Sequence, residues 1–515
     1  MGIKKYDVVI IGGGTGGVCS AAALCNSGYK VALIESNSSL GGTTTEGFVS
    51  TWIEGANLDF HVQMFQNLCE SGDLTGDVEK SWLPTKFANG KESCIIKLNP
   101  YKVAEYYRNY FDAANNIDVY YGYSFKNVTK MNGNTISEIL VANEGTTYIF
   151  TARFFIDASG DGVLCRAASR YISSSEELYF LGRDEKKRFN ESLAMDHNDS
   201  TQLNEPSLFF ELTDANCDYA LYQNITSVYA VYSTSKGQEQ ISDEIFLNNS
   251  LFDDKNYDLS KISIVKPPYI VIDGYKDTFL FKEGRMFLCN PMTGAGVTGH
   301  NFMRYSKEEQ YDILKEKTME YWKYIKYSLM LAKRKGEHGV WNNSGWTVEE
   351  GKFTVGDRFA TMCGIRESYR IKCRYMLNQN DLVKDVRECE DLKKERYIAI
   401  GSHNVDMHNQ WGLSGIQEFN KNSLRPYGIK YDSLIPSFLA NVLVCCKAFG
   451  ASQIAISSAR TVKTISQIGW AGGCAIKLCL DSNLIDTTMD DDLIEKLQSD
   501  KYTNFANYHL AIKNI

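Results

Sequence analysis

Apolar and polar positions along this chain follow two periods, one of strands and one of helices, and they change over at recognisable turns. Val8 to Ile11 form a short unbroken apolar run, which predicts a parallel strand buried on both faces. Val18, Ala21, Ala22 and Cys25 then recur at helical spacing, Gly28 stands where a helix C-cap is wanted, and Val31 to Ile34 form a second apolar strand. Cys94 to Leu98 predict a further strand. Asn99-Pro100 supply an N-cap and a first-turn proline for a helix through Val103, Tyr107, Tyr110 and Ala114, and Ile117 to Tyr121 follow as a strand. Between Val128 and Phe155, three β-type runs are parted by Asn132-Gly133 and Glu144-Gly145, both turn signals, so a small meander is expected. From Tyr171 to about Gly351 the texture shifts to aromatic and β-branched runs: Ser207 to Leu212, Val228 to Ser233, Tyr269 to Ile272 and Thr278 to Phe281. These predict an antiparallel sheet, followed by a helix from Lys307 to Lys335. A strand from Asn441 to Cys446, a helix from about Thr461 into Leu480 and a short helix from Asp490 to Gln498 complete the pattern.

The turn between the first strand and helix carries Gly12, Gly14 and Gly17 in GxGxxG spacing, with Thr15 and Gly16 inside it. Gly12 permits the tight turn, Gly14 lets backbone approach a diphosphate, and Gly17 lets helix and strand pack closely. Free N–H groups at the helix start face phosphate oxygens, and the helix dipole adds about 0.3–1 kcal/mol. The second strand ends in Glu35, followed by Ser36. Its carboxylate can accept hydrogen bonds from both hydroxyls of an adenosine ribose and would repel a 2′-phosphate, which disfavours NADP. Strand, glycine turn, helix, strand and acid within one βαβ length predict a dinucleotide site, for FAD or NAD. Gly41, Gly42 and Thr43, just downstream, offer another close approach to the ligand. No cysteine lies between Leu40 and Phe60, where a disulfide-reducing flavoenzyme usually carries its pair. Phe154 to Ile156 feed a small loop whose Ala158, Ser159, Gly160 and Asp161 suit close approach to a phosphate or ribitol.

At 515 residues the chain has room for two or three domains. A net charge of −8 with no basic block argues against a nucleic-acid partner. No apolar run approaches the ~20 residues of a membrane helix, and the first strand begins too early for a signal peptide, so no membrane association and a cytoplasmic location are expected. The 14 cysteines lack Cys-x-x-Cys spacing, and no metal site is expected; Cys445-Cys446 read as small core residues. A second GxGxxG, Gly294 to Gly299, reads as a decoy: Pro291 interrupts its approach, and Glu316 falls mid-helix rather than at a strand end. Gly364 to Ile371 packs Arg366, Glu367 and Arg370 together, either as a structural ion pair or as a fixed cation facing an anionic substrate or reduced flavin. His403 and His408 flank Asp406, a spacing open to metal binding, acid–base chemistry or a plain polar loop, with acid–base work the preferred functional reading. Gly469, Gly472 and Gly473 are costly inside a helix by about 1 kcal/mol each, which calls for close approach to a ligand or another backbone.

Taken together, Ile156 to Gly162, Gly364 to Ile371, Asp406 to His408 and Leu434 to Lys447 resemble the motifs of a bacterial family of FAD-dependent oxidoreductases. That family sits within the broad glutathione-reductase and hydroxybenzoate-hydroxylase fold, and its terminal-helix pattern is matched by Arg460, Gly469, Ala471 and Gly473. The resemblance implies an α/β fold with a Rossmann-like FAD-binding domain and β-meander, discontinuous in sequence over 1–170 and 355–482. An α+β substrate domain with an antiparallel sheet would fill 171–354, and 483–515 would form a helical extension. It also implies FAD, with Gly12, Gly14, Gly17 and Glu35 at the ADP half and Gly41, Gly42, Thr43 and Ser159 to Asp161 along the diphosphate and ribitol. Val128 and Gly469 are placed along the cofactor as well, and the last helix would point its N-terminal half toward the flavin ring. Two departures stand out: the family's Ala-Gly-Arg is Cys445-Cys446-Lys447 here, where Cys446 would be strained in a glycine conformation, and Tyr369 replaces an arginine. The expected activity is hydride transfer from a small polar organic substrate to FAD, with His408 or His403 as base and Arg366 placing substrate or stabilising the flavin anion. An NAD(P)H-driven flavin monooxygenase and a non-catalytic flavin-binding protein are the alternatives.

Overall fold

The structure, a computed structural model, describes residues 2–49, 51–79, 95–181, 189, 191–193, 206–207, 210–213, 285–288, 302–315, 354–406 and 414–513. The predicted strands Val228 to Ser233, Tyr269 to Ile272 and Thr278 to Phe281, the Gly294 to Gly299 turn and His408 lie outside these residues, as does the expected helix beyond 315.

Five parallel strands form the central sheet, in the order Val442–Val444, Phe154–Asp157, Val8–Ile11, Val31–Glu35, Ile117–Tyr121. Every residue of Val8–Ile11 and Val31–Glu35 is buried, which is why these strands read as continuous apolar runs rather than alternating ones. Each Val or Ile side chain so enclosed stabilises the fold by about 1.5–3 kcal/mol. The meander is present: Ser124–Asn132, Thr135–Ala142 and Thr147–Thr151 pair antiparallel, and Gly2–Lys5 adds a parallel edge strand. Asn441 stitches meander to sheet. Its side chain accepts from Ile136 N at 3.0 Å and donates to Ile136 O and Arg153 O at 2.9 and 3.0 Å.

Helix Pro100–Asp112 begins as its cap predicts, with Asn99 Oδ1 accepting from Tyr101 N at 3.1 Å. The terminal glycine-bearing helix runs over Val462–Asp481 and crosses the first helix, Thr15–Ala23. The choice between ligand and backbone for its glycines falls to backbone at Gly469 and Gly473. A Cβ on Gly469 would stand 2.3 Å from Gly16 O, and one on Gly473 2.3 Å from Ser20 O. Ser20 Oγ, 2.8 Å from Gly469 O, ties the crossing together.

Several helices escape the sequence pattern, Asp59–Ser71 and Gln453–Ala459 among them. Asp59–Ser71 carries Phe60, Met64, Phe65 and Leu68 on its buried face, but lacks a side-chain cap to announce it. Gln453–Ala459 is buried on all sides, so its sequence shows no amphipathic period. The antiparallel character of the middle region is visible where described: Phe210–Thr213 pairs with Arg285–Leu288 and with Thr354–Phe359. Residues 307–315 are helical, as expected. Downstream, Tyr397–Gly401 and Tyr427–Lys430 form an antiparallel pair gripped by the last helices, with Gln498 Nε2 donating to Tyr397 O and Leu392 O at 2.8 Å. Among the described residues, no helix is long and apolar enough to cross a membrane.

Candidate functional site

Three neighbouring strands end side by side, and their C-terminal loops form the site. Ile11 leads into the glycine turn, Asp157 into the Ala158–Gly162 loop, and Val444 into Cys445-Cys446-Lys447. The C-terminal edge of a parallel sheet is where such folds bind ligands. Gly12 has φ +98°, and a Cβ there would lie 2.5 Å from Ala158 O. At Gly17 a Cβ would fall 1.8 Å from Gly12 O, and at Gly16 it would fall 1.7 Å from Cys445 O. Gly16 and Gly469, expected beside the cofactor, therefore meet each other and the neighbouring strand. Gly14 differs. It N-caps the first helix at φ −68°, no side chain caps that helix end, and a Cβ on it would meet nothing within 4 Å. The helix N–H groups at Thr15 thus face an open cradle, floored by Gly41 and Gly42: Gly41 N donates to Gly13 O at 2.8 Å, and Gly42 stacks on Gly14.

Glu35 closes one side of the cradle. Its Oε2 accepts from Gly13 N and its Oε1 from Asn37 N, both at 2.7 Å, with Ser36 Oγ at 3.2 Å. Burial pushes its carboxyl up, while these donors favour the charged form. Thr43 O accepts from Val49 N, and Val128 O accepts from the Tyr171 hydroxyl at 2.6 Å, so both lie on ordered backbone. In the second loop, Asp157 is fully buried and accepts from Ser159 Oγ at 2.6 Å and Cys165 N at 3.0 Å. Cys446 does not take a left-handed conformation, so the strain anticipated there is absent; its thiol, pushed up to about 12 by burial, lies 3.5 Å from Asp157 O. Lys447 reaches Gly160 O at 2.9 Å. Tyr369 lies beneath the Arg166 guanidinium, 3.4 Å from carbon to ring centroid.

The residues singled out for catalysis come together only in part. His403 and Asp406 do not share one partner. His403 Nδ1 is 3.7 Å from Glu54 Oε2, whereas Asp406 meets Arg460, whose Nη2 is 3.3 Å from its Oδ2. Burial pushes the Arg460 guanidinium down to about 10, opposed by Asp406 and reinforced by the like charge of Arg366. Arg366, Arg460, Asp406, His403 and Glu54 thus gather around the start of helix Val462–Asp481. Arg370 and Glu367 belong to the interior instead: Arg370 Nη1 reaches Ala451 O at 3.4 Å, and Glu367 Oε2 accepts from Gln453 Nε2 at 3.0 Å. The segment carrying His403 is pinned at both ends. Gln467 bonds Ile400 N and O at 3.0 and 3.1 Å, and Asn420 bonds Val405 N and O, each at 2.9 Å. Sequence reading missed Glu54, which sits in a polar-looking turn after the strand Thr51–Ile53 and is buried only through contacts made by distant residues.

His61 lies behind the site, on helix Asp59–Ser71, 3.2 Å from the Tyr107 hydroxyl and 3.9 Å from Cys19 Sγ. Burial, reinforced by the charge of Lys463, pushes it down to about 3 from an ordinary 6.5. The folded chain therefore leaves His61 neutral where the unfolded chain protonates it, so its contribution to stability is intact above about pH 6.5 and fades as pH falls below that. Lowering the pH from about 7.5 to about 5 is expected to cost about 2 kcal/mol through this residue alone. Thermal unfolding at several pH values, compared with His61→Gln, checks it; an equally steep pH dependence in the variant would exclude His61 as the source.

Fold and cradle together define a dinucleotide-binding flavoprotein, and the open Gly14 backbone beside Glu35 fits FAD. Residues 7–500 match the family described as FAD dependent oxidoreductase, and the chain belongs to that family. A curated glutathione reductase from Debaryomyces hansenii is 26% identical over 213 residues, 40% of this chain and 36% of that protein, so the match spans only about a third of the relative's length. Among solved structures, a geranylgeranyl bacteriochlorophyll reductase-like protein from Thermoplasma acidophilum is 12% identical with a TM-score of 0.37, covering 100% of this chain and 88% of that one. The myxobacterial chondrochloren halogenase CndH is 11% identical with a TM-score of 0.37, covering 99% and 82%.

Proposed function

We propose that this FAD-dependent oxidoreductase oxidises a small polar organic substrate, an alcohol or an amine. The C–H bond gives up its electron pair as hydride, and the O–H or N–H proton leaves to a histidine. FAD, when bound along Gly12 to Gly17, Glu35, Gly41 to Thr43 and Ala158 to Asp161, supplies the hydride acceptor. His403 takes the proton, Glu54 steadies the imidazolium that results, and Arg366 places the substrate. His408, five residues on, is the alternative base. The observation that carries this reading is the pinned His403 segment beside the buried Glu54 carboxylate. Side-chain amides on either side hold the backbone that carries this base, which limits its reorganisation.

The test is an anaerobic screen of alcohols and amines for bleaching of the visible flavin band, followed by His403→Gln and His408→Gln. His403→Gln is expected to slow bleaching by about 100- to 10,000-fold with flavin content unchanged. An unchanged rate in His403→Gln together with a slow His408→Gln would transfer the role to His408. Oxygen uptake that needs NAD(P)H and rises with substrate would replace this reading with a monooxygenase.

A further inference from the structure

The Ala158–Gly162 loop holds a charge arrangement that cofactor binding by glycine backbone alone does not require. Asp161 is buried and points between two lysines: Lys307 Nζ is 2.7 Å from its Oδ2, and Lys447 Nζ is 3.3 Å from its Oδ1. Burial alone would raise its carboxyl, but Lys307 and Lys447 hold it well below the usual carboxylate range, so it is ionised. One carboxylate between two ammonium groups leaves the trio with a single net positive charge. Arg166 adds to it, with Nη1 3.5 Å from Asp161 O. The root of the same loop touches the glycine turn, since a Cβ on Gly12 would stand 2.8 Å from Ser159 Cα. The cluster therefore sits two residues along a loop whose root borders the cradle that fits the doubly negative diphosphate of FAD. Without the lysines, a bare Asp161 carboxylate there would repel that diphosphate.

Lys307 comes from the middle of the chain, not from the segments that build the parallel sheet. The segment 302–315 that carries it packs through Phe302, Met303 and Leu314 with Phe48 and Ala360. Phe48 lies in the loop that follows Gly41 to Thr43, and its φ of +57° is unusual for a bulky residue. Docking of this stretch and the charge beside the cradle are thus one event.

We propose that Lys307 is a cofactor-positioning residue supplied by the middle of the chain: with Lys447 it reverses the charge of the Asp161 loop from repelling the FAD diphosphate to attracting it. This inference rests on FAD binding and not on the hydride-transfer reading, so the two fail separately. Because the Lys307 side chain is 63% exposed, its field is screened by salt, and its effect is several-fold rather than absolute.

Apoprotein is titrated with FAD, following flavin fluorescence, at low and at high sodium chloride. Lys307→Met is expected to bind FAD about three- to tenfold more weakly at low salt, Lys307→Arg to bind within about twofold of the unchanged protein, and Lys307→Met/Lys447→Met to be weaker than Lys307→Met. The differences shrink at high salt. Apoprotein melting by circular dichroism accompanies each titration. FAD affinity in Lys307→Met equal to that of the unchanged protein overturns the proposal. So does a loss that is the same at both salt concentrations and is matched by Lys307→Arg, because that marks loosened packing and not charge. An unchanged protein that binds no FAD would remove the cofactor assignment and this inference with it.

Discussion

Gly16→Ala is expected to lose about 4–5 kcal/mol of folding stability, enough to leave little native protein in a marginally stable domain. The added methyl would stand 1.7 Å from Cys445 O. Neither side can retreat. Cys445 N is bonded to Asp157 O at 2.9 Å in the sheet, and the helix behind Gly16 is backed by Gly469 and tied by Ser20. Urea unfolding of the apoprotein measures the effect, and a loss smaller than about 1 kcal/mol would contradict the close packing described for this crossing.

Gly14→Val is expected to do the reverse: apoprotein stability within about 1 kcal/mol of the unchanged chain, and FAD affinity down by about a hundredfold. Gly14 has an ordinary φ of −68° and no neighbour within 4 Å of a built Cβ, so nothing within the described residues demands glycine there. The cradle's requirement comes from a ligand whose diphosphate must reach backbone N–H groups at the helix start. Titration of apoprotein with FAD, beside a melting curve, decides it. A destabilised apoprotein with intact FAD affinity would overturn this division of labour between two glycines only two residues apart.

That division was not legible in the sequence, although the motif was. Val8 to Glu35 is a local pattern in which strand, turn, helix and strand follow one another, so reading it needs no knowledge of distant partners. Asn99-Pro100 and the Asn132-Gly133 and Glu144-Gly145 turns announce themselves for the same reason. Gly16 and Gly469 carry no mark showing that they pack against each other, because helix crossings are set by the assembled core. Glu54 and His403 show the same limit: each looks like a residue of a polar loop, and only the fold brings them to 3.7 Å. Asp406 was read as the partner of its sequence neighbours and proves to face Arg460. At Cys446, the analogy to a family glycine foresaw strain that an ordinary backbone conformation removes. Lys307 was read only as the start of a helix, since a lysine on an exposed turn gives no hint that a buried carboxylate waits for it.

The placement of Val442–Val444 at the edge of the sheet beside Phe154–Asp157 has a consequence for biosynthesis. On the ribosome, the first four strands of the sheet emerge long before the fifth, and until then Phe154–Asp157 presents unpaired backbone along a flat apolar edge. The first helix likewise waits for Val462–Asp481 to cover Gly16 and Ser20. Newly made chain therefore passes through a long interval with an unsealed nucleotide fold. Closure of the sheet and cover for the first helix therefore come late in the order in which this polypeptide is made.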